Sequence, residues 1–137
     1  MKLFKIVALS FFIIFVSGCA TQNSRVLEGG NQVELRSMQT RSFDTEDKNS
    51  VVRNVISTLQ DLDFVIDQAD AALGTVSATK LSGYQIRMTV TARAKSSSVV
   101  VRASAQYNLK PIEDSGMYQD FFAALSKSLF LSANSVE

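Results

Sequence analysis

Two neighbouring segments of the chain alternate between apolar and polar side chains, with Val100 as the one exception, and this pattern restricts the possible folds more than any other feature. Residues 84–94 and 99–109 place apolar side chains at every second position, and a serine-rich turn separates them. The apolar positions are Tyr84, Ile86, Met88, Val90, Ala92 and Ala94, then Val99, Val101, Ala103, Ala105, Tyr107 and Leu109. Because successive side chains of a strand point to opposite faces, the pattern predicts two strands with one apolar face and one face in water.

Two further segments carry apolar residues at helical spacing. The acidic stretch 44–47 offers a cap at Asp44 and a carboxylate three positions later, which predicts a helix beginning there. Its apolar stripe is Val51, Val52, Val55, Ile56, Leu59 and Leu62. After Pro111, Ser115 is expected to cap a final helix with the stripe Tyr118, Phe121, Phe122, Leu125 and Leu129. Such stripes are typical of helices that pack against a sheet.

The remaining segments complete the predicted fold. Strands are expected at 35–43, with Met38 and Phe43 pointing inward, and at 64–67 and 74–79, with breaks at Gly74 and Ser82-Gly83. The resulting order is β-α-β-β-β-β-α. It predicts an α+β two-layer sandwich in which two helices lie on one face of an antiparallel sheet.

The beginning of the chain has the organisation of an export signal. Lys2 and Lys5 form a basic start, and the uncharged run 6–16 has the length of a signal-peptide core, too short to span a bilayer. The following Val-Ser-Gly-Cys at 16–19 resembles the lipobox of bacterial lipoproteins. An ordinary secretory signal with an incidental thiol is the alternative.

The lipobox resemblance implies the fate of the N-terminus. Residues 1–18 would be removed by cleavage between Gly18 and Cys19, and Cys19 would carry a diacylglyceryl thioether and an acyl chain such as palmitate. Because Ala20 is not acidic, the resemblance also implies the periplasmic side of the outer membrane. Several acyl chains anchor a protein durably. The polar, glycine-bearing segment 19–34 predicts a lipidated, flexible tether, and 35–137 a single α+β domain.

Composition argues against several classes of function. The chain has no histidine and no tryptophan, one cysteine, and a formal net charge of +1. A serine or cysteine nucleophile usually needs a histidine base, and zinc sites usually draw on histidine or cysteine. No glycine-rich loop opens a helix after a strand, as phosphate-cradling motifs require. We therefore expect no enzyme activity, no metal, no cofactor and no nucleic-acid partner.

Four aspartates near the end of the first predicted helix are the remaining chemical candidates. Asp61, Asp63, Asp67 and Asp70 could form a general acid–base pair or a calcium site. Their spacing lacks the glycine and terminal glutamate of an EF-hand loop. We interpret them as solvated turn carboxylates.

The polar face of the two long strands is the best candidate for a binding surface. Arg87, Arg93 and Arg102 are expected there, with Gln85, Gln106 and Asn108. Guanidinium groups bind carboxylates and phosphates bidentately, so an acidic protein, lipid headgroups or a polysaccharide are possible partners. The alternative is an ordinary solvated face of a two-layer domain.

Residues 54–80 combine a helix end, a turn and the start of a strand in a recognisable order. A helix ends in Leu62-Asp63-Phe64-Val65, and an acidic turn and Gly74 precede the next strand. This stretch resembles the repeat of the barrel-assembly lipoprotein C family. The resemblance implies a helix-grip domain and a non-enzymatic accessory role in an outer-membrane complex.

Together these features lead to two hypotheses of function. The first is a lipid-anchored, non-catalytic periplasmic binding module, an accessory or assembly subunit of a cell-envelope protein complex. The alternative is a helix-grip carrier of a small apolar or lipid-like ligand, suggested by the small inward residues Ala92, Ala94, Ala103 and Ala105. Those alanines could equally leave room for the Phe121-Phe122 pair, which we interpret as core.

Overall fold

The computed structural model of the chain describes residues 29–134. In chain order the elements are α1 (Gly29–Met38), β1 (Thr40–Phe43), α2 (Lys48–Asp61), β2 (Val65–Asp70), β3 (Thr75–Leu81), β4 (Gln85–Lys95), β5 (Ser98–Tyr107), β6 (Lys110–Pro111) and α3 (Ser115–Asn134). The six strands form one antiparallel sheet in the order β1-β5-β4-β3-β2, and the two-residue β6 pairs with the far end of β5. The α+β class is confirmed, with three helices among the described residues instead of two.

The long hairpin that the alternation predicted is present. Strands β4 and β5 pair from Ile86 opposite Tyr107 to Lys95 opposite Ser98. The inward positions Met88, Val90, Ala92, Val99, Val101, Ala103 and Ala105 are buried. With the buried faces of α2 and α3 they form one continuous core between the sheet and the helices.

The start of α2 lies later than the sequence pattern predicted. Asp47, not Asp44, is the N-cap residue, and its carboxylate accepts a hydrogen bond from the Ser50 N–H at 2.8 Å. Two short-range hydrogen bonds, from Thr45 N–H to the Phe43 carbonyl and from Lys48 N–H to the Glu46 carbonyl, hold the preceding residues in a bent, non-helical path. The Asp44 cap prediction was wrong because both aspartates are good capping residues, and the bent path of residues 43–46 delays the helix until Asp47.

The end of α2 closes with hydrogen bonds that explain Asp63. The Phe64 N–H donates to the Leu59 carbonyl and the Asp63 N–H to the Gln60 carbonyl, which together form a Schellman motif. This motif requires a left-handed residue, and Asp63 has φ +65°. Phe64 and Leu59 are both buried, so the motif also delivers Phe64 to the core at the start of β2.

The N-terminal part of the domain differs from the prediction. Residues 35–38, expected in a strand, belong to helix α1, which begins at Gly29 within the range expected to be tether. Leu35 is buried and Met38 packs against the core, so the two residues three positions apart share one helical face. Strand β1 is therefore only Thr40–Phe43, with the expected inward packing of Phe43.

Between β1 and β6, a buried tyrosine hydroxyl completes the hydrogen bonding of β5. Ala103 N–H donates to the Gln39 carbonyl, and Ala105 N–H donates to the Tyr118 hydroxyl at 3.1 Å. That hydroxyl donates to the Ile112 carbonyl at 2.6 Å and accepts from the Gln39 side-chain amide. Helix α3 is thus connected to the sheet edge by one side chain.

The turn between β2 and β3 packs tightly against β4. Gly74 has φ +69°, and its carbonyl accepts a 2.7 Å hydrogen bond from Ala92 N–H. A Cβ at Gly74 would collide with the Ala92 carbonyl oxygen. Only glycine fits both the backbone conformation and this close approach.

Candidate functional site

The residues predicted for signal cleavage and lipidation lie outside the described part of the chain. Gly18, Cys19, the predicted signal peptide and tether residues 19–28 all precede Gly29. Their predicted cleavage and lipidation stay predictions. Within residues 29–134, no helix is both long and apolar enough to cross a membrane.

All three candidate arginines lie where the alternation placed them, exposed on the outer face of the sheet. Arg87 and Arg93 belong to β4 and Arg102 to β5, and each has at least one buried neighbour in its strand that faces the helices. Gln85 and Gln106 lie on the same face, while Asn108 occupies the turn after β5 with φ +52°.

The register divides these arginines into a pair and a single residue. Thr91 lies opposite Arg102, so Arg93, two residues along β4, is the diagonal neighbour of Arg102. Diagonal neighbours are about 7–8 Å apart, within reach of long side chains. Arg87 lies opposite Gln106, four residues along β5 from Arg102, or about 13 Å. Arg87 therefore stands apart from the pair.

The arginine pair lines a shallow depression on the outer face, which we call the arginine concavity. It has a volume of about 520 Å³. Its lining residues are Thr40, Thr89, Thr91, Arg93, Val100, Arg102 and Ser104. Three strands contribute to it: Thr40 on β1 lies opposite Arg102, which in turn lies opposite Thr91 on β4.

Neither guanidinium in the arginine concavity is neutralised by a neighbouring carboxylate. No aspartate or glutamate lines it, and within residues 29–134 the side chains of Arg93 and Arg102 form no hydrogen bond or ion pair. The four hydroxyl groups around them can donate or accept hydrogen bonds. Two unpaired guanidiniums surrounded by hydroxyls can bind a carboxylate or phosphate group through charge-assisted hydrogen bonds.

A second depression, which the sequence analysis did not identify, lies between the sheet and the start of α3. This end groove has a volume of about 440 Å³. Its apolar lining includes Phe64, Ile86, Met88 and Met117, and its charged lining consists of Lys80, Asp114 and Asp120. The Lys80 ammonium lies 5.8 Å from the Phe64 ring centroid and donates to the Leu62 carbonyl at 2.9 Å.

No single sequence pattern indicates the end groove. The alternation of β4 begins at Tyr84, and the apolar stripe of α3 begins at Tyr118. No sequence pattern shows which residues of that stripe, if any, cover the first inward residues of β4. Tyr84 is in fact 58% exposed and Ile86 is half-buried. An apolar face longer than the helices that cover it leaves an apolar groove.

The expected inward alanines do not leave an evident ligand space in the middle of the sheet. Ala92, Ala103 and Ala105 are buried in the same core as the fully buried rings of Phe121 and Phe122, whose centroids are 5.1 Å apart. Ala94 is exposed, which corrects its predicted inward packing. The small side chains and the large rings thus belong to one packed cluster.

The four aspartates are spread along α2 and β2 and have local contacts. Asp63 forms a 3.5 Å ion pair with Lys80, Asp67 accepts a hydrogen bond from the Thr79 hydroxyl at 2.6 Å, and Asp70 accepts one from the Leu73 N–H. Asp67 lies at a β-bulge between Ile66 and Gln68. Across the described residues, no group of three or more potential metal-binding side chains comes together.

Comparison with known proteins assigns no family to the chain, so the class of protein is described from its fold and surface. The chain matches no protein-family model and no curated protein sequence. The described residues form an α+β domain. Two neighbouring arginines without an ion-pair partner lie on its open sheet face, and an apolar groove lies at one end of its core.

Proposed function

We propose that this protein is a lipid-anchored, non-catalytic periplasmic binding module, an accessory or assembly subunit of a cell-envelope protein complex. In this proposal Cys19 carries the lipid anchor at the periplasmic side of the outer membrane, and the arginine concavity binds the partner. The partner presents carboxylate or phosphate groups, because those groups fit two guanidiniums bidentately.

One observation carries this proposal: Arg93 and Arg102 are diagonal neighbours in a concavity whose lining contains no acidic residue. Here the positive charge is concentrated, and hydroxyl groups instead of carboxylates surround it. Such an arrangement favours an anionic partner over an internal structural role.

The experiment that tests the proposal is a crosslinked pull-down of the full chain from membranes, read by mass spectrometry. The variant Arg93→Gln with Arg102→Gln should lose the partner and remain in the membrane fraction. The matched control is Arg36→Gln with Arg53→Gln, which removes the same charge from exposed positions on α1 and α2. Equal partner recovery from both double variants would exclude the arginine concavity.

A Cys19→Ala variant tests the anchor separately. We expect it to leave the membrane fraction, and we expect intact-mass analysis of the unaltered protein to show lipid on Cys19. If the Cys19→Ala protein remained membrane-bound with an unchanged mass, the anchor would be wrong whatever the arginine variants showed.

The end groove supports a second candidate, a carrier of a small apolar or lipid-like ligand. Phe64, Met88 and Met117 offer an apolar lining that opens to solvent beside a lysine. Organic extraction of the purified protein followed by mass spectrometry should then recover a bound molecule. Met117→Glu would abolish that recovery by placing a charge in the groove, and recovery of no ligand from the unaltered protein would exclude the carrier.

A further inference from the structure

Four large apolar side chains are exposed together at one end of the sheet. Leu109 is 91% exposed, Leu81 81%, Tyr84 58% and Tyr107 38%. We call these four residues the apolar tip. The sequence pattern assigned Tyr84, Tyr107 and Leu109 to the inward face, but the helices do not cover them.

Two turns on neighbouring strands form the apolar tip. Leu81 ends β3 opposite Gln85, and the Asn108 N–H donates to the Gln85 carbonyl at 3.1 Å, which connects the β5–β6 turn to the start of β4. The rings of Tyr84 and Tyr107 pack edge to face with centroids 4.9 Å apart. This hydrogen bond and this ring contact hold the two turns together. Leu81 and Leu109, the most exposed leucines of the described residues, lie on either side of β4.

The size of the apolar tip argues against a stable protein partner. Two leucines and two partly exposed tyrosines offer a few hundred Å² of apolar surface, whereas a stable protein interface buries about 800 Å² on each partner. A lipid bilayer needs no complementary shape, and tyrosine is favoured at the headgroup level, where its ring is apolar and its hydroxyl polar. The arrangement of leucine and tyrosine therefore fits a membrane interface.

The length of chain before Gly29 limits how far the domain can lie from a membrane anchor. This step rests on the proposed lipid anchor at Cys19. The ten residue steps from Cys19 to Gly29 span at most about 35 Å. Because the anchor makes contact with the bilayer intramolecular, a tip too small to bind lipid from solution can still remain in contact with it.

Charges near the apolar tip indicate the kind of lipid surface. Arg87 and Lys110 are exposed beside it, and Glu113 and Asp114 follow Lys110 in the loop to α3. Mixed charge of this kind suits zwitterionic headgroups, which present both a phosphate and an ammonium, better than a strongly anionic surface.

We propose that the apolar tip inserts into the headgroup layer of the bilayer to which the chain is anchored, and so sets the orientation of the domain. Arg93 lies eight residues along β4 from Gln85, about 26 Å. The arginine concavity would then be held away from the lipid and open to a periplasmic partner.

The native tyrosines provide a direct test. The chain has three tyrosines and no tryptophan, and two of the three, Tyr84 and Tyr107, belong to the apolar tip, while Tyr118 is fully buried. The lipidated full chain is reconstituted into vesicles of phosphatidylethanolamine and phosphatidylcholine, both zwitterionic, with a nitroxide on a fraction of the headgroups. We expect at least twofold stronger quenching of tyrosine fluorescence than in the variant Leu81→Ser with Leu109→Ser.

The control is Leu73→Ser, which replaces another strongly exposed leucine, 73% exposed, in the β2–β3 turn at the other end of the sheet. We expect it to quench like the unaltered protein. Equal quenching of the unaltered protein and the tip variant would overturn the proposal. So would quenching of the unaltered protein no stronger than that of free tyrosine added to the same vesicles.

A spin label at the apolar tip distinguishes contact with lipid from contact with a protein. It also distinguishes insertion of the tip from anchoring at Cys19 alone. A nitroxide on Leu109→Cys should be accessible to oxygen and shielded from a water-soluble nickel complex in protein-free vesicles, unlike one on Ser97→Cys in the β4–β5 turn. Shielding at residue 109 that appeared only in native membranes would indicate a protein partner and overturn the proposal. Protein that failed to float with vesicles would instead disprove the lipid anchor.

Discussion

The strand pair β4–β5 has two ends that share one sequence pattern and meet opposite environments. In the centre of the strand pair and near the β4–β5 turn, Val90, Val99 and Ala103 lie beneath the helices and are essentially inaccessible to solvent. At the other end, Tyr84 and Tyr107 continue the same alternation and are exposed. An alternating pattern indicates which face of a strand is apolar, but the length of the covering helices decides how much of that face is buried.

The largest expected difference between the two ends concerns aromatic side chains. Phe121→Ala, which removes a fully buried ring, should lower the free energy of unfolding by about 3–5 kcal/mol because it leaves a cavity in the core. Tyr84→Ala at the apolar tip should lower it by less than about 1 kcal/mol. Urea denaturation followed by circular dichroism measures both. Similar losses would show that the tip is packed as tightly as the core.

Two glycines in equivalent backbone conformations sharpen the comparison. Gly74 at the covered end has φ +69° and Gly83 beside the apolar tip has φ +75°. Alanine at Gly83 meets no atom within 4 Å, so Gly83→Ala should cost about 1 kcal/mol from backbone strain alone. Gly74→Ala adds the collision with the Ala92 carbonyl and should cost about 3 kcal/mol. Equal shifts in the urea midpoint would contradict that close approach.

Two tyrosine hydroxyls provide a third comparison. Tyr118→Phe removes a hydroxyl that contacts Ala105 N–H, the Ile112 carbonyl and the Gln39 amide, and should cost about 2 kcal/mol because buried polar groups lose their partner. Tyr107→Phe at the apolar tip should change stability by less than about 0.5 kcal/mol. Hydrogen exchange at Ala105 should accelerate in the first variant only, and unchanged exchange there would rule out the described hydrogen bond.

The smallest expected effect is a stabilisation within the covered region. The Thr58 hydroxyl is buried and has no hydrogen-bond partner among the described residues. Thr58→Val keeps the side-chain shape and removes the cost of burying that hydroxyl, so stability should rise by about 1 kcal/mol. Thr91→Val on the half-exposed outer face should leave stability unchanged. Thermal denaturation measures both variants. A loss of stability in Thr58→Val would mean that the hydroxyl has a partner.

Local sequence patterns predicted most of the elements that carry the core. The alternation of β4 and β5, the helical stripe of α2 and the Tyr118–Leu125 part of the final stripe all correspond to buried faces. The strand predicted at 35–43 was wrong in its first half. Leu35 and Met38 are three positions apart, which places them on opposite faces of a strand but on one face of a helix, and both contact the core.

The candidate site could be predicted only in part. Placement of Arg87, Arg93 and Arg102 on the outer face follows from period two, and the structure agrees. Their division into the Arg93–Arg102 pair and the separate Arg87 depends on the register between β4 and β5, which the turn geometry sets. The end groove and the apolar tip depend on which residues of the sheet α3 covers. The sequence predicts that α3 begins near Ser115 but not where it lies over the strands.

The sequence by itself determined the α+β class, the two faces of the long strands and the apolar stripes of α2 and α3, because these follow from periodicity within single segments. The tertiary structure alone decided which apolar residues are covered, which arginines are neighbours and why Gly74 must be glycine. Those properties depend on distances between segments far apart in the chain. They are fixed when the helices pack on the sheet and bury one part of an apolar face while leaving its end exposed.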